Sequence, residues 1–375
     1  MADSREPADR LRRVIVAALA DPAALAGWSA ADLDLVLRGL RRVRLLGRVA
    51  RRLYAVVPPA GLPPAARDQL DSALAVVEAR ERLARWELDR LGRALADDAF
   101  GPVVLMKGCA YLLANLPNAP GRLFADVDLL LAEERLEAAE RRLLQWGWIG
   151  ASLSPYDERY YRRWTHELPP LSHPEREVEV DLHHNVLMRT ARLSPDARLL
   201  LSGARPVTGT RFSVLGPVDM TLHAMTHLLY GGEMDDALRE LVDVNDLLRH
   251  FGAVEPGFWQ GFWPRAMALD LARPAYYGLR YAERLLGTPV PAEVLGESAT
   301  AAPPPPVLAA MDRLVPLALF PPHPDRPDMA TAAARLLLYL RSHWVRMPPL
   351  LLARHLGYKF YLRHLARWPA PDTAG

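Results

Sequence analysis

Hydrophobic spacing changes twice along this chain, and those changes limit the folds open to it. From 8 to 98, apolar residues recur at three- and four-residue intervals. From 99 to 215, short β-rich runs are separated by helical stretches, and beyond 216 the helical spacing returns. Strands alternating with helices in the middle, and helices before and after, specify an α+β chain. A central mixed sheet flanked by N-terminal and C-terminal helical segments is expected, divided at 1–98, 99–215 and 216–375. Composition narrows the class without naming chemistry. Half of the 375 residues are apolar and 24% are charged, which excludes a disordered or collagen-like chain. Lys+Arg number 46 against Asp+Glu 44, so no strong basic field points to double-stranded nucleic acid as a partner. The single cysteine, Cys109, excludes a disulfide framework and every multi-cysteine zinc motif, and it fits a reducing compartment.

Local signals place the elements. Ser29 stands as an N-cap before Ala30-Ala31-Asp32, and Leu33, Val36, Leu40 and Val43 follow at helical spacing. Pro58, Pro59, Pro63 and Pro64 break that run, and a second long helix is expected over 65–98. Near the start, Arg10, Arg12 and Arg13 precede a short apolar run stopped by Asp21-Pro22, which reads as an amphipathic helix rather than a signal peptide. No run of about eighteen apolar residues occurs, so a cytoplasmic protein without a transmembrane segment is expected. In the middle, strands are expected over 102–106, 122–131, 148–153, 156–168 and 177–184, helices over 109–116 and 133–145, and an edge hairpin over 203–215. Helices over 220–230, 237–250, 256–269 and 272–286 follow, and 301–306 reads as a polyproline-like joint. The acid-free stretch 335–367 reads as an amphipathic helix pair with aromatics inside and arginines outside.

The chemistry-bearing residues gather in the middle segment. Alternate side chains of a strand share a face, so Asp126 and Asp128 project together, about 6–7 Å apart along the backbone. Two such carboxylates repel unless a cation joins them or one is protonated. Hard carboxylate oxygens suit Mg²⁺, and Mn²⁺ is an alternative. Asp181, in Glu177-Val-Glu-Val-Asp-Leu-His, shares its strand face with Glu179 and His183 and is the best candidate for a third acid. Lys107-Gly108 lies where a strand passes into a helix, a place suited to phosphate. Arg122 shares strand parity with the two aspartates and brings a planar fork for a phosphate. His183 is placed to contact a phosphate or orient a carboxylate, and His184 to face away. A lone Asp-x-Asp strand is ordinarily wet surface and a lone Lys-Gly an ordinary turn. Their order within one segment is what points to a metal-phosphate site. His223 and His227, one helical turn apart, read as core residues paired with Asp243 or Asp246 rather than as metal ligands. Cys109, with no base beside it, reads as a small buried residue.

The blocks Val-Val-Leu-Met-Lys-Gly, Arg-Leu-Phe-Ala-Asp-Val-Asp-Leu-Leu-Leu and Val-Glu-Val-Asp-Leu-His resemble the uncharacterised nucleotidyltransferase family of the polymerase-beta-like superfamily. The segments Leu-His-Ala-Met-Thr-His-Leu and Leu-Val-Asp-Val-Asn-Asp-Leu-Leu are similar to its downstream helices, so the likeness spans 103–248. The resemblance implies a palm that uses Mg²⁺ and a nucleoside triphosphate. Asp126 and Asp128 match its metal-binding pair, Asp181 its third acid, and Lys107 and Gly108 its triphosphate turn, where the wider superfamily carries Gly-Ser. It also implies transfer of a nucleoside monophosphate, AMP from ATP, to a small-molecule or protein acceptor that it does not identify. Two competing readings are a non-catalytic module binding a nucleotide or peptide, and a phosphohydrolase using His223, His227 and Asp243.

Overall fold

The computed structural model describes residues 6–364 except 233 and 327. Four helices come first: α1 (Glu6–Ala20), α2 (Ala30–Arg42), α3 (Leu46–Tyr54) and α4 (Pro64–Ala94). The start of α2 follows from its capping chemistry. The Asp32 amide donates to Ser29 Oγ at 3.2 Å, while Ser29 Oγ donates back to the Asp32 carboxylate at 2.8 Å. Ser29 is thus an N-cap that satisfies one first-turn amide, with its hydroxyl oriented by the Asp32 carboxylate. Pro64 opens α4 at the one helical turn that needs no amide donor. Its apolar stripe Leu70, Val77, Ala84, Leu88 and Leu91 is buried.

The middle of the chain runs β1 (Val103–Leu105), α5 (Lys107–Leu113), β2 (Asp126–Leu130), α6 (Leu136–Gln145), β3 (Ile149–Gly150), α7 (Pro155–Trp164), β4 (Leu171–His173), β5 (Arg176–His183), α8 (Ala197–Ser202), β6 (Arg205–Pro206) and β7 (Phe212–Val214). These strands make one seven-stranded mixed sheet in the order β3-β4-β5-β2-β1-β7-β6. Its central pair, β2 and β5, is parallel. One face rests on α4. There Glu87, fully buried, accepts from Trp148 Nε1 at 2.7 Å and pairs with Arg176 of β5. The expected α+β architecture is therefore the one observed.

Several expected elements are corrected. The stretch expected as a strand over 156–168 is α7 through Trp164. Ser154 caps it by accepting from the Asp157 amide at 3.1 Å, and Pro155 fills its first turn. Only 166–168, after the helix, pairs with β5. The strand expected over 122–131 is confined to Asp126–Leu130. Residues 122–125 pair with no strand, following a tight turn in which Gly121 has φ +80° and a Cβ there would lie 2.5 Å from Arg48 Cα. The strand expected over 148–153 shrinks to Ile149–Gly150.

Helices complete the chain: α9 (Pro217–Tyr230), α10 (Ala237–Val254), α11 (Phe258–Ala268), α12 (Ala272–Leu286), α13 (Ala292–Ser298), α14 (Pro305–Leu319), α15 (Met329–Arg346) and α16 (Pro349–His364). Apolar on nearly every side, α9 is buried along its length. The proline joint is shorter than expected, because Pro305 and Pro306 already form the first turn of α14. In α15 the expected orientation is partly reversed. Tyr339 and Trp344 are exposed, whereas Arg341 donates to the Leu229 carbonyl at 3.0 Å and lies over the rings of Tyr230 and Tyr277. The helix packs through its small face of Thr331, Ala334, Leu338 and Ser342, which leaves the aromatics outside. The side chains of Lys359, Tyr361 and Arg363 and the residue Arg367 lie outside the described part. Among the described residues, no helix is long and apolar enough to cross a membrane.

Candidate active site

The register of β2 and β5 builds the acid face. Asp128 stands opposite Asp181, and Asp126 opposite Glu179. Directly paired residues of neighbouring strands share a face, so four carboxylates project to one side. Asp126 and Glu179 are exposed, Asp181 is half-buried and Asp128 is 2% exposed. Asp128 Oδ1 accepts from Lys107 Nζ at 2.7 Å and meets His183 Nε2 at 3.0 Å. Burial opposes charge on Asp128, but Lys107 and His183 outweigh it and hold its carboxyl well below the ordinary carboxylate range. Asp181 has no such partner. Burial first, then Asp128, Glu167, Glu179 and Asp126, push it up to about 9. One acid of the facing pair is thus compensated and the other is not.

The turn at Lys107 brings the cation to this face. The Met106 amide donates to the Asp128 carbonyl at 3.0 Å, and Lys107 then takes φ +47° to leave the sheet for α5. Gly108 leaves room for Arg122, since a Cβ at 108 would lie 2.9 Å from Arg122 Nε. Arg122 reaches the site from the 121 turn rather than from strand parity. It pairs with Asp243 of α10 and lies over Tyr111 at 5.4 Å. Cys109, 1% exposed, has its thiol pushed up by burial and by Asp126 and Asp128, which agrees with an inert buried residue.

A cleft opens between this face and α9–α10. Lys107, Gly108, Arg122, Asp126 and His183 line it from the sheet side, and His223, His227, Arg239 and Glu240 from the helices. Sequence reasoning missed His166, Glu167 and Glu240. His166 and Glu167 follow α7, whose Ser-Pro-x-Asp start and Tyr156, Tyr160, Trp164 spacing were the signals that would have placed them. His227 does pair with an acid of the next helix, but Glu240 at 2.9 Å rather than Asp243 or Asp246. Asp243 belongs to Arg122, and Asp246 to Arg48 and Arg52. His223, His227 and Asp243 therefore do not converge as a phosphohydrolase centre requires. His184 turns from the acid face as expected, and its ring meets the Thr165 carbonyl at 3.3 Å.

A family model described as uncharacterised nucleotidyltransferase matches residues 29–287, well over half of the chain. The chain belongs to that family. No curated protein and no solved structure matches it. Its reaction class is nucleotidyl transfer, with a nucleotide as substrate. The matched region of this nucleotidyltransferase contains the acid face and both helices across the cleft. Its residues also fit the divalent metal that such enzymes generally use. One donor atom each from Asp128, Asp181 and His183 lies within 4.8 Å of the others. Asp181, an uncompensated acid beside four further carboxylates, is the kind of centre a hard cation relieves.

Proposed function

We propose that this nucleotidyltransferase moves a nucleoside monophosphate, AMP from ATP, onto a hydroxyl or phosphate of a small-molecule or protein acceptor and releases pyrophosphate. The observation that carries the reading is the pairing of Asp128 with Asp181 across β2 and β5, with Asp126 two residues along the same face. Asp126, Asp128 and Asp181 would hold Mg²⁺, or Mn²⁺ on the same oxygens. Such an ion would supply charge neutralisation at the departing pyrophosphate and would acidify the acceptor hydroxyl.

The chain's own residues do the rest. Lys107, 22% exposed, keeps Asp128 ionised and offers its remaining N–H groups to the triphosphate from the cleft wall. Gly108 leaves that approach clear, and Arg122, braced by Asp243, adds a fixed guanidinium. His183 orients Asp128 through Nε2. Asp181 takes the acceptor's proton, directly or through water, as the acceptor oxygen bonds to the α-phosphorus and the bond to pyrophosphate breaks. The lone, buried Cys109 fits a reducing compartment, and the reading places the protein in the cytoplasm.

The test is incubation with each α-labelled triphosphate, Mg²⁺ and cell extract, followed by mass spectrometry and a pyrophosphate assay. One nucleotide added to an acceptor, with ATP preferred and pyrophosphate released, is the expected result. Asp128→Asn should abolish transfer while the circular dichroism spectrum stays unchanged. Release of inorganic phosphate, binding without turnover, or full Mg²⁺-dependent turnover by Asp128→Asn would each overturn the reading.

A further inference from the structure

Beside the acid face stands a second group of donors. Residues 166–168 run antiparallel to 182–184: the Leu168 amide donates to the Leu182 carbonyl and the His184 amide to the His166 carbonyl, each at 2.9 Å. Glu167 and His183 are thereby a non-hydrogen-bonded pair, the ladder position where facing side chains come closest. Thr165 fixes the approach, its hydroxyl lying 2.7 Å from the carbonyls of both Tyr161 and Glu167. Glu167 Oε2 then lies 3.4 Å from His183 Nδ1 and 3.9 Å from His166 Nε2.

His183 decides what these atoms can do. Its Nε2 lies 3.0 Å from Asp128 Oδ1, which leaves Nδ1 as the nitrogen on the Glu167 side. That nitrogen is buried and makes no hydrogen bond, in a side chain 3% exposed, and a carboxylate oxygen lies 3.4 Å from it. A cation lying between that nitrogen and the Glu167 carboxylate would be bound by both. An imidazole held by a carboxylate and presenting its other nitrogen is how metal-ligating histidines are oriented. Ligands of tetrahedral Zn²⁺, with bonds of about 2.1 Å, stand about 3.4 Å from one another. The separations at Glu167 are close to that.

We propose that His166, Glu167 and His183 bind a divalent d-block cation of the Zn²⁺ class, beside the carboxylate site for Mg²⁺ and on the Nδ1 side of the shared His183. All three residues line the cleft, so a fourth position is open to water or substrate. Two imidazoles and one carboxylate favour such an ion over Mg²⁺. Bound there, it clamps 166–168 to the end of β5 and keeps His183 turned toward Asp128. The proposal holds whatever the nucleotide and acceptor are.

Metal-stripped full-length protein titrated with Zn²⁺ and, separately, Co²⁺ tests it. One Zn²⁺ per chain is expected, retained against excess Mg²⁺, and Co²⁺ should give the intense visible absorption of a four-coordinate ion. His166→Ala and Glu167→Gln, each checked for folding by circular dichroism, should weaken Zn²⁺ at least about tenfold, since loss of even an outer-shell partner costs that much. Asp181→Asn should leave Zn²⁺ affinity unchanged. No Zn²⁺ binding, binding indifferent to His166→Ala and Glu167→Gln, or binding lost in Asp181→Asn would each overturn the site.

Discussion

Lys107 bears two costs at once. Its φ of +47° is left-handed, a conformation that costs a residue with a side chain about 1–2 kcal/mol, and its ammonium is largely buried against Asp128. A glycine would make the same turn at ease but would leave Asp128 with His183 alone. Strain and ion pair can be separated by two substitutions. Lys107→Met and Lys107→Gly both remove the ammonium, and urea unfolding should find both less stable than the parent. Lys107→Gly should exceed Lys107→Met in stability by about 1 kcal/mol, because only it relieves the backbone. Equal midpoints would show that the turn is unstrained. Two residues on, Cys109 should resist iodoacetamide at about pH 8 in the folded protein and react once urea exposes it. Rapid labelling without denaturant would contradict a side chain 1% exposed.

Strands β2 and β5 were legible because their period of two is uninterrupted: Asp-Val-Asp and Glu-Val-Asp-Leu-His alternate polar and apolar residues without a break. Parity alone put Asp126, Asp128, Asp181 and His183 on common faces, although only the pairing shows that Asp128 and Asp181 are direct neighbours. Helix α7 was hidden by its own side chains. Tyr156, Tyr160, Tyr161 and Trp164 favour strands, and the apolar positions of so short a helix are few. What decides the conformation is the cap, where Ser154 and Asp157 exchange two hydrogen bonds. Ser154→Ala should therefore cost about 1 kcal/mol in urea unfolding. It should also loosen 165–168, seen as faster amide exchange at Leu168, whose amide bonds the Leu182 carbonyl. Unchanged exchange there would show that the pairing with β5, not the helix, holds that segment.

No local signal joins the sheet to the helices that close the cleft, because the contacts span long stretches of chain. Arg122 and Asp243 are 121 residues apart in sequence and are 9% and 4% exposed. Arg48 of α3 is likewise tied to Asp246, one helical turn farther along α10. Two acids on one face of α10 thus grip the first helical segment and the turn leading into β2. They hold the far wall of the cleft against the acid face, within a core that runs continuously from α1 to α15. Pairs this buried barely outweigh their own desolvation, but losing one partner strands the other charge. Asp243→Asn should therefore cost about 3–5 kcal/mol in urea unfolding. The double variant Arg122→Met with Asp243→Leu should recover most of that loss, because no unpaired charge remains. The same double variant should still raise KM for the triphosphate, having lost the guanidinium that lines the cleft. A cost below about 1 kcal/mol for Asp243→Asn, the range of an exposed pair, would mean that α10 is held by apolar packing alone.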